Sequence, residues 1–183
     1  WYQRGHEPED DWWRFLVGVV THTCDNWREP DHGIWEVRDE KHHFVHSKAF
    51  AWVALDRGVR LASAMARGHG GDVERWQTEA DACRAEILER GVDRDRNCFV
   101  ESFDSPTLDA AVLLLPTVAF VDWRDPVMIG TVDAIIDELV VGGFVRRHQG
   151  WDHEGAFLPC TFWLAGCLAH QGRLTGARYS FGS

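Results

Sequence analysis

Apolar positions recur at helical rather than alternating spacing through most of the chain. Asp10 and Asp11 precede a stretch in which Trp13, Leu16, Val20, Thr23 and Trp27 share one face. Acids at a helix start suit the dipole, so the pattern predicts a helix over 13–27, ended by Pro30 and Gly33. A second helix is expected over 44–67, stopping at Gly68, and a third over 72–90, stopping at Gly91. After a loop at 92–106 comes a shorter helix at 108–115. A fifth starts at Asp125-Pro126, proline being favoured in a first turn, and ends at Gly142-Gly143. A sixth covers 155–170 and stops at Gly172, and 174–183 reads as a frayed end. Only 34–37 and 98–101 have strand character.

The fold class is therefore all-α, about six helices in three hairpins of roughly 55–60 residues each, the spacing of a toroid or solenoid. No sequence repeat accompanies it. A length of 183 residues fits a single domain, 1–183, and 45% hydrophobic residues exclude disorder. The net charge of -10 repels phosphate backbones and no basic stripe offsets it, so nucleic acid is excluded as a partner. A neutral sugar suits this balance. No apolar run is long enough to span a bilayer, so no membrane partner is expected. Five cysteines, an odd number without a CxxC pair, point to reducing conditions and a cytoplasmic location. The chain opens on Trp1-Tyr2-Gln3-Arg4 with neither Met nor a signal pattern, and is expected to be cut from something longer.

Two loops carry candidate chemistry. In Gly33-Ile34-Trp35-Glu36-Val37-Arg38 a carboxyl lies between a Trp and a Val. Apolar neighbours raise a carboxyl pKa, which a general acid needs, while Arg38 or Lys41 would lower it. The plain alternative is a Glu–Arg surface pair. In Trp151-Asp152-His153-Glu154-Gly155, Glu154 precedes the sixth helix. It is either an acid favoured by the helix dipole or a base kept ionised by nearby N–H groups. Two carboxylates in separate loops, each near a Trp, make the inventory of glycoside hydrolysis through an oxocarbenium-like transition state. Ten tryptophans serve mostly as core, but Trp35 and Trp151, beside the two acids, are suited to stack on a sugar. His42, His43 and His46 lack a fourth ligand type at zinc spacing, so no metal is expected. No P-loop or dinucleotide fingerprint occurs, so no cofactor is expected.

At these residues the chain resembles glycoside hydrolase family 15, the glucoamylase and bacterial trehalase type. The resemblance is carried by Gly33–Arg38, by His43-Phe44-Val45-His46-Ser47-Lys48 with Ala51–Arg57, and by Leu108-Asp109-Ala110-Ala111 with Leu113-Leu114-Leu115-Pro116. Asp125-Pro126, Glu154-Gly155-Ala156-Phe157-Leu158 and Cys160-Thr161-Phe162-Trp163-Leu164 continue it in the family's order. It implies part of an (α/α)6 toroid and inverting hydrolysis of an α-glucoside such as trehalose or the end of an α-glucan. Glu36 then matches the general acid and Glu154 the general base. Trp35 lines the sugar pocket, and Arg38 and Lys48 belong to it. The family's N-terminal β-sandwich and first toroid helices are absent from this chain, so it is expected to be incomplete. The loss would leave apolar helix faces for self-association or for the rest of the toroid. The competing reading is a truncated, non-catalytic helical interaction module.

Overall fold

The computed structural model describes residues 9–36, 38, 40–64, 71–150 and 155–173. Five α-helices occur among them: α1 (Asp10–Asn26), α2 (Val45–Ala64), α3 (Val73–Arg90), α4 (Pro126–Leu139) and α5 (Leu158–Gln171). Two antiparallel two-residue ribbons interrupt them, β1 (Val92–Asp93) with β2 (Cys98–Phe99) and β3 (Val140–Val141) with β4 (Phe144–Val145).

Helices α1, α2 and α3 pack together, α2 against α3 most extensively. Each turns one stripe inward: Trp13, Val20 and Cys24 on α1, Ala49, Trp52, Leu55 and Ala62 on α2, and Trp76, Ala80, Cys83 and Ile87 on α3. Gly58 of α2 lets α1 approach, because a Cβ there would stand 2.7 Å from Val20 Cγ2. Asp72 caps α3 by accepting from the Arg75 amide at 3.0 Å, and Gly91 ends it. Helices α4 and α5 complete the core: α4 lies on β2, and α5 lies on β4 and the interior turn at 110–114.

Three expectations are corrected. The fourth helix is a single 3-10 turn, Ala110–Leu114. Its residues Ala110 through Leu113 are all buried, so the run has no amphipathic period, and Pro116 follows directly. Helix α4 ends at Leu139, before the expected glycines. Gly142 (φ 59) and Gly143 (φ 84) instead turn the β3–β4 ribbon, which β-branched Val140 and Val141 favour. Residues 34–36 form a turn rather than a strand, with the Glu36 amide bonded to the Gly33 carbonyl at 3.2 Å. The 98–101 stretch does include a strand, Cys98–Phe99.

At Gly130, α4 approaches the backbone of the β1–β2 turn closely. A Cβ on Gly130 would meet the Asn97 carbonyl oxygen at 2.2 Å, and Asn97 itself holds φ 50. Gly130→Ala must push the ribbon off the helix and is expected to lose about 1–3 kcal/mol in a urea melt. Gly18→Ala in α1, where nothing lies within 4 Å, is the control and should be neutral or slightly stabilising. Equal stability of the two variants would contradict this packing.

Candidate active site

The loop between α1 and α2 is built before it presents anything. Asp31 and His42 exchange backbone hydrogen bonds at 3.0 Å and close its base. The Asp31 carboxylate accepts from the Gly33 amide at 2.6 Å and the Ser47 hydroxyl at 2.8 Å, tying the loop to the first turn of α2. Gly33 adopts φ 68 with the Phe44 ring 3.0 Å from where a Cβ would stand, so only glycine fits there. The turn then sends Trp35 inward and leaves Glu36 exposed at φ 50.

Trp35 is the centre of an aromatic wall. Its ring stacks on Trp163 of α5 at 6.2 Å and meets Phe157 edge-on at 5.7 Å. The Arg147 guanidinium lies over it at 5.6 Å and over Phe157 at 5.8 Å. The indole N–H donates to both carboxyl oxygens of Asp109, each at 3.0 Å.

Asp109 is buried at the head of the 3-10 turn, where it also accepts from the Ala111 amide at 2.7 Å. Burial pushes its pKa up to about 7; the Ala111 amide and the Trp35 indole oppose that, and the nearby Glu101 charge adds to it. Residues 108–110 bond in turn to the segment after β4. The Ala110 amide donates to the Arg147 carbonyl at 2.7 Å, and the Gln149 amide to the Leu108 carbonyl at 3.1 Å. This ladder carries the chain up to residue 150, and Phe157 returns beside it with its amide on the Val145 carbonyl at 3.0 Å.

The expected site residues divide. Glu36 and Trp35 share one turn, and Arg38 is exposed close after them. Lys48 is buried, and its ammonium donates to the carbonyls of Trp27 at 2.6 Å and Glu29 at 2.5 Å. It therefore pins the end of α1 from beneath, and burial lowers its pKa. Glu154 and Trp151 lie outside the described residues. Each histidine of the 42–46 cluster lies against an aromatic ring: His42 on Phe44, His43 on Phe103, His46 on Phe50. Burial lowers the pKa of His46 to about 4. Among the described residues no three potential ligands gather as a metal site.

Asp109, Arg147, Phe157 and Trp163 were not read as site residues. Asp109 had a visible signal, being the one charged residue within the apolar run 108–115. The others join the wall only through contacts far along the chain.

Comparison with known proteins bears on this arrangement. The model of the family described as "Glycosyl hydrolases family 15" matches residues 2–181. A trehalase of Mycobacterium tuberculosis is 40% identical over 173 residues, 91% of this chain and 25% of that protein. A trehalase of Mycolicibacterium smegmatis is 37% identical over 93% of this chain and 26% of its own length. The chain thus spans about a quarter of the trehalases it matches. A solved glycosidase in complex with glucose superposes with a TM-score of 0.71 at 20% identity, over 94% of this chain and 54% of that one. The shared fold is the helical architecture described above.

The buried carboxyl gives a pH signature. An Asp whose folded pKa is raised to about 7 keeps its proton where the unfolded chain has lost it, above about pH 4. Its contribution is therefore fully present below about pH 4 and lost as pH rises towards 7. Asp109→Asn should flatten the fall in urea-melt stability between these limits. An unchanged pH dependence would show that Asp109 ionises normally.

Proposed function

The chain belongs to the glycosyl hydrolases of family 15, and from that premise we propose that it supplies both catalytic carboxyls of an inverting α-glucosidase. Glu36 donates a proton to the leaving glycosidic oxygen. Glu154 takes a proton from the water that attacks the anomeric carbon on the opposite face. One observation carries this reading. Trp35, the residue before Glu36, is touched by both Arg147 and Phe157, which flank 151–154 in the sequence. That bracketing supports two acids facing one aromatic wall. Trp35 and Trp151 stack on the sugar, Arg38 reaches its hydroxyls, and Lys48 holds the loop from beneath.

Trehalose is the substrate this reading favours, since the relatives named above are trehalases. Activity belongs to the whole protein, because this chain spans about a quarter of theirs. Five buried free thiols suit a reducing, cytoplasmic setting. Among the described residues no helix is long and apolar enough to cross a membrane.

In the full-length enzyme Glu36→Gln should reduce turnover of trehalose about 10²–10⁴-fold. The penalty should shrink on α-glucosyl fluoride, whose leaving group needs no proton. Glu154→Gln should slow both substrates alike. NMR before mutarotation should show one β-glucose, from the attacked unit, beside one α-glucose, the leaving unit, for each trehalose cleaved, and the two carboxyls should stand about 6.5–9.5 Å apart. Two α-glucoses per trehalose, with no initial β-glucose, would refute the assignment of roles.

Two exposed stripes bear on assembly: Trp12 (63%), Phe15 (60%) and Val19 (40%) on α1, and Leu158 (52%) and Phe162 (66%) on α5. We assign them to contact with further toroid helices or a second copy of the chain. The chain alone should bind an environment-sensitive hydrophobic dye and sediment above monomer mass. A dye-silent monomer would count against this.

A further inference from the structure

Asp109 is not on a loop that presents an acid to solvent, yet it is tied to the one that does. It caps the 3-10 turn through the Ala111 amide, which needs only Oδ1. Its second oxygen, Oδ2, also accepts the Trp35 indole proton. An indole has one polar atom, so among the described residues this hydrogen bond orients a ring otherwise held by apolar and cation–π contacts. The next residue is Glu36, whose φ of 50 must be maintained by its surroundings.

We infer that Asp109 is a positioning residue for the hydrolysis, acting through Trp35 to fix the sugar-facing wall and the turn that aims the Glu36 carboxyl. The inference rests on the glycosidase reading above. It departs from a purely structural cap in one respect. A cap holds the 3-10 turn alone, whereas this carboxyl joins that turn to a loop 74 residues away in sequence. Four ionisable groups surround the pair: Glu101 after β2, His148 and Arg147 after β4, and Cys160 on α5. With Asp109 ionising near pH 7, the bond changes from neutral to charge-assisted within the neutral range.

Two measurements test the inference. In the chain labelled at indole nitrogen, the Trp35 Hε1 resonance, assigned by its loss in Trp35→Phe, should shift between about pH 4 and 9 with a midpoint near 7. Asp109→Asn should abolish that titration. In the full-length enzyme Asp109→Asn should lower kcat for trehalose about tenfold to a hundredfold, as a displaced catalytic group does. In a Trp35→Phe background, which has no indole N–H, the same change should cost less than about twofold. A Trp35 resonance that Asp109→Asn leaves unmoved at every pH, or multiplicative effects of the two substitutions in an active enzyme, would overturn the proposal by itself. If the resonance titrates but the full-length wild type hydrolyses no α-glucoside, the glycosidase reading falls and takes the positioning role with it.

Discussion

The Trp35 indole shares its one proton between the two oxygens of Asp109, and three segments far apart in sequence meet at that bond. The α1–α2 loop contributes the indole and the interior 3-10 turn the carboxyl. The segment after β4 is held to the same turn by the Ala110 and Gln149 amides. A buried hydrogen bond adds only about 1 kcal/mol net, but leaving either partner unmet costs about 1–3 kcal/mol. The asymmetry makes this bond more important for register than for total stability. Any slip of the loop against the turn leaves the part-buried indole N–H unmet and strips the buried Asp109 Oδ2 of its partner, while Oδ1 keeps the Ala111 amide.

The loop's other restraints work in the same direction. Asp31 fixes its base, Ser47 ties it to α2, and Phe44 fills the space beside Gly33. Lys48 reaches beneath to the Trp27 and Glu29 carbonyls, placing a cation at the C-terminal end of α1 where the helix dipole favours one. A non-glycine residue at positive φ costs about 1–3 kcal/mol unless its surroundings over-determine it. Glu36 is such a residue, and these bonds are its surroundings. The scaffold keeps the acid-bearing turn stiff while leaving the acid itself exposed.

The amphipathic helices were legible because α1, α2 and α3 each bury a single stripe. The 108–115 run was not, since a segment buried on every side has no period to read. The Gly142-Gly143 pair was ambiguous in kind: two glycines can end a helix or turn a ribbon, and the valines before them decided for the ribbon. Within the site, the Trp35-Glu36 turn showed itself as an acid set between apolar residues and confined by glycine. Asp109 was visible only as a charge out of place in an apolar run. That its partner is Trp35 follows from tertiary packing, which no local spacing encodes.

The wall and the exposed acid impose a further requirement on the proposed chemistry. A general acid must hold its proton near the working pH, and burial is the usual way to achieve that. Glu36 is exposed, beside the half-buried Trp35 in the chain. Its remaining desolvation must come from a bound sugar ring, or from elements that this chain does not carry. The solved glycosidase with the same fold is nearly twice as long, this chain covering 54% of it, so such elements have a place in the architecture. Asp109 needs no such help, because the 3-10 turn encloses it already. In the proposed chemistry the two carboxyls are thus complementary: Asp109 is fixed and dry before substrate arrives, and its bond to Trp35 ties down the turn from which Glu36 would meet the substrate.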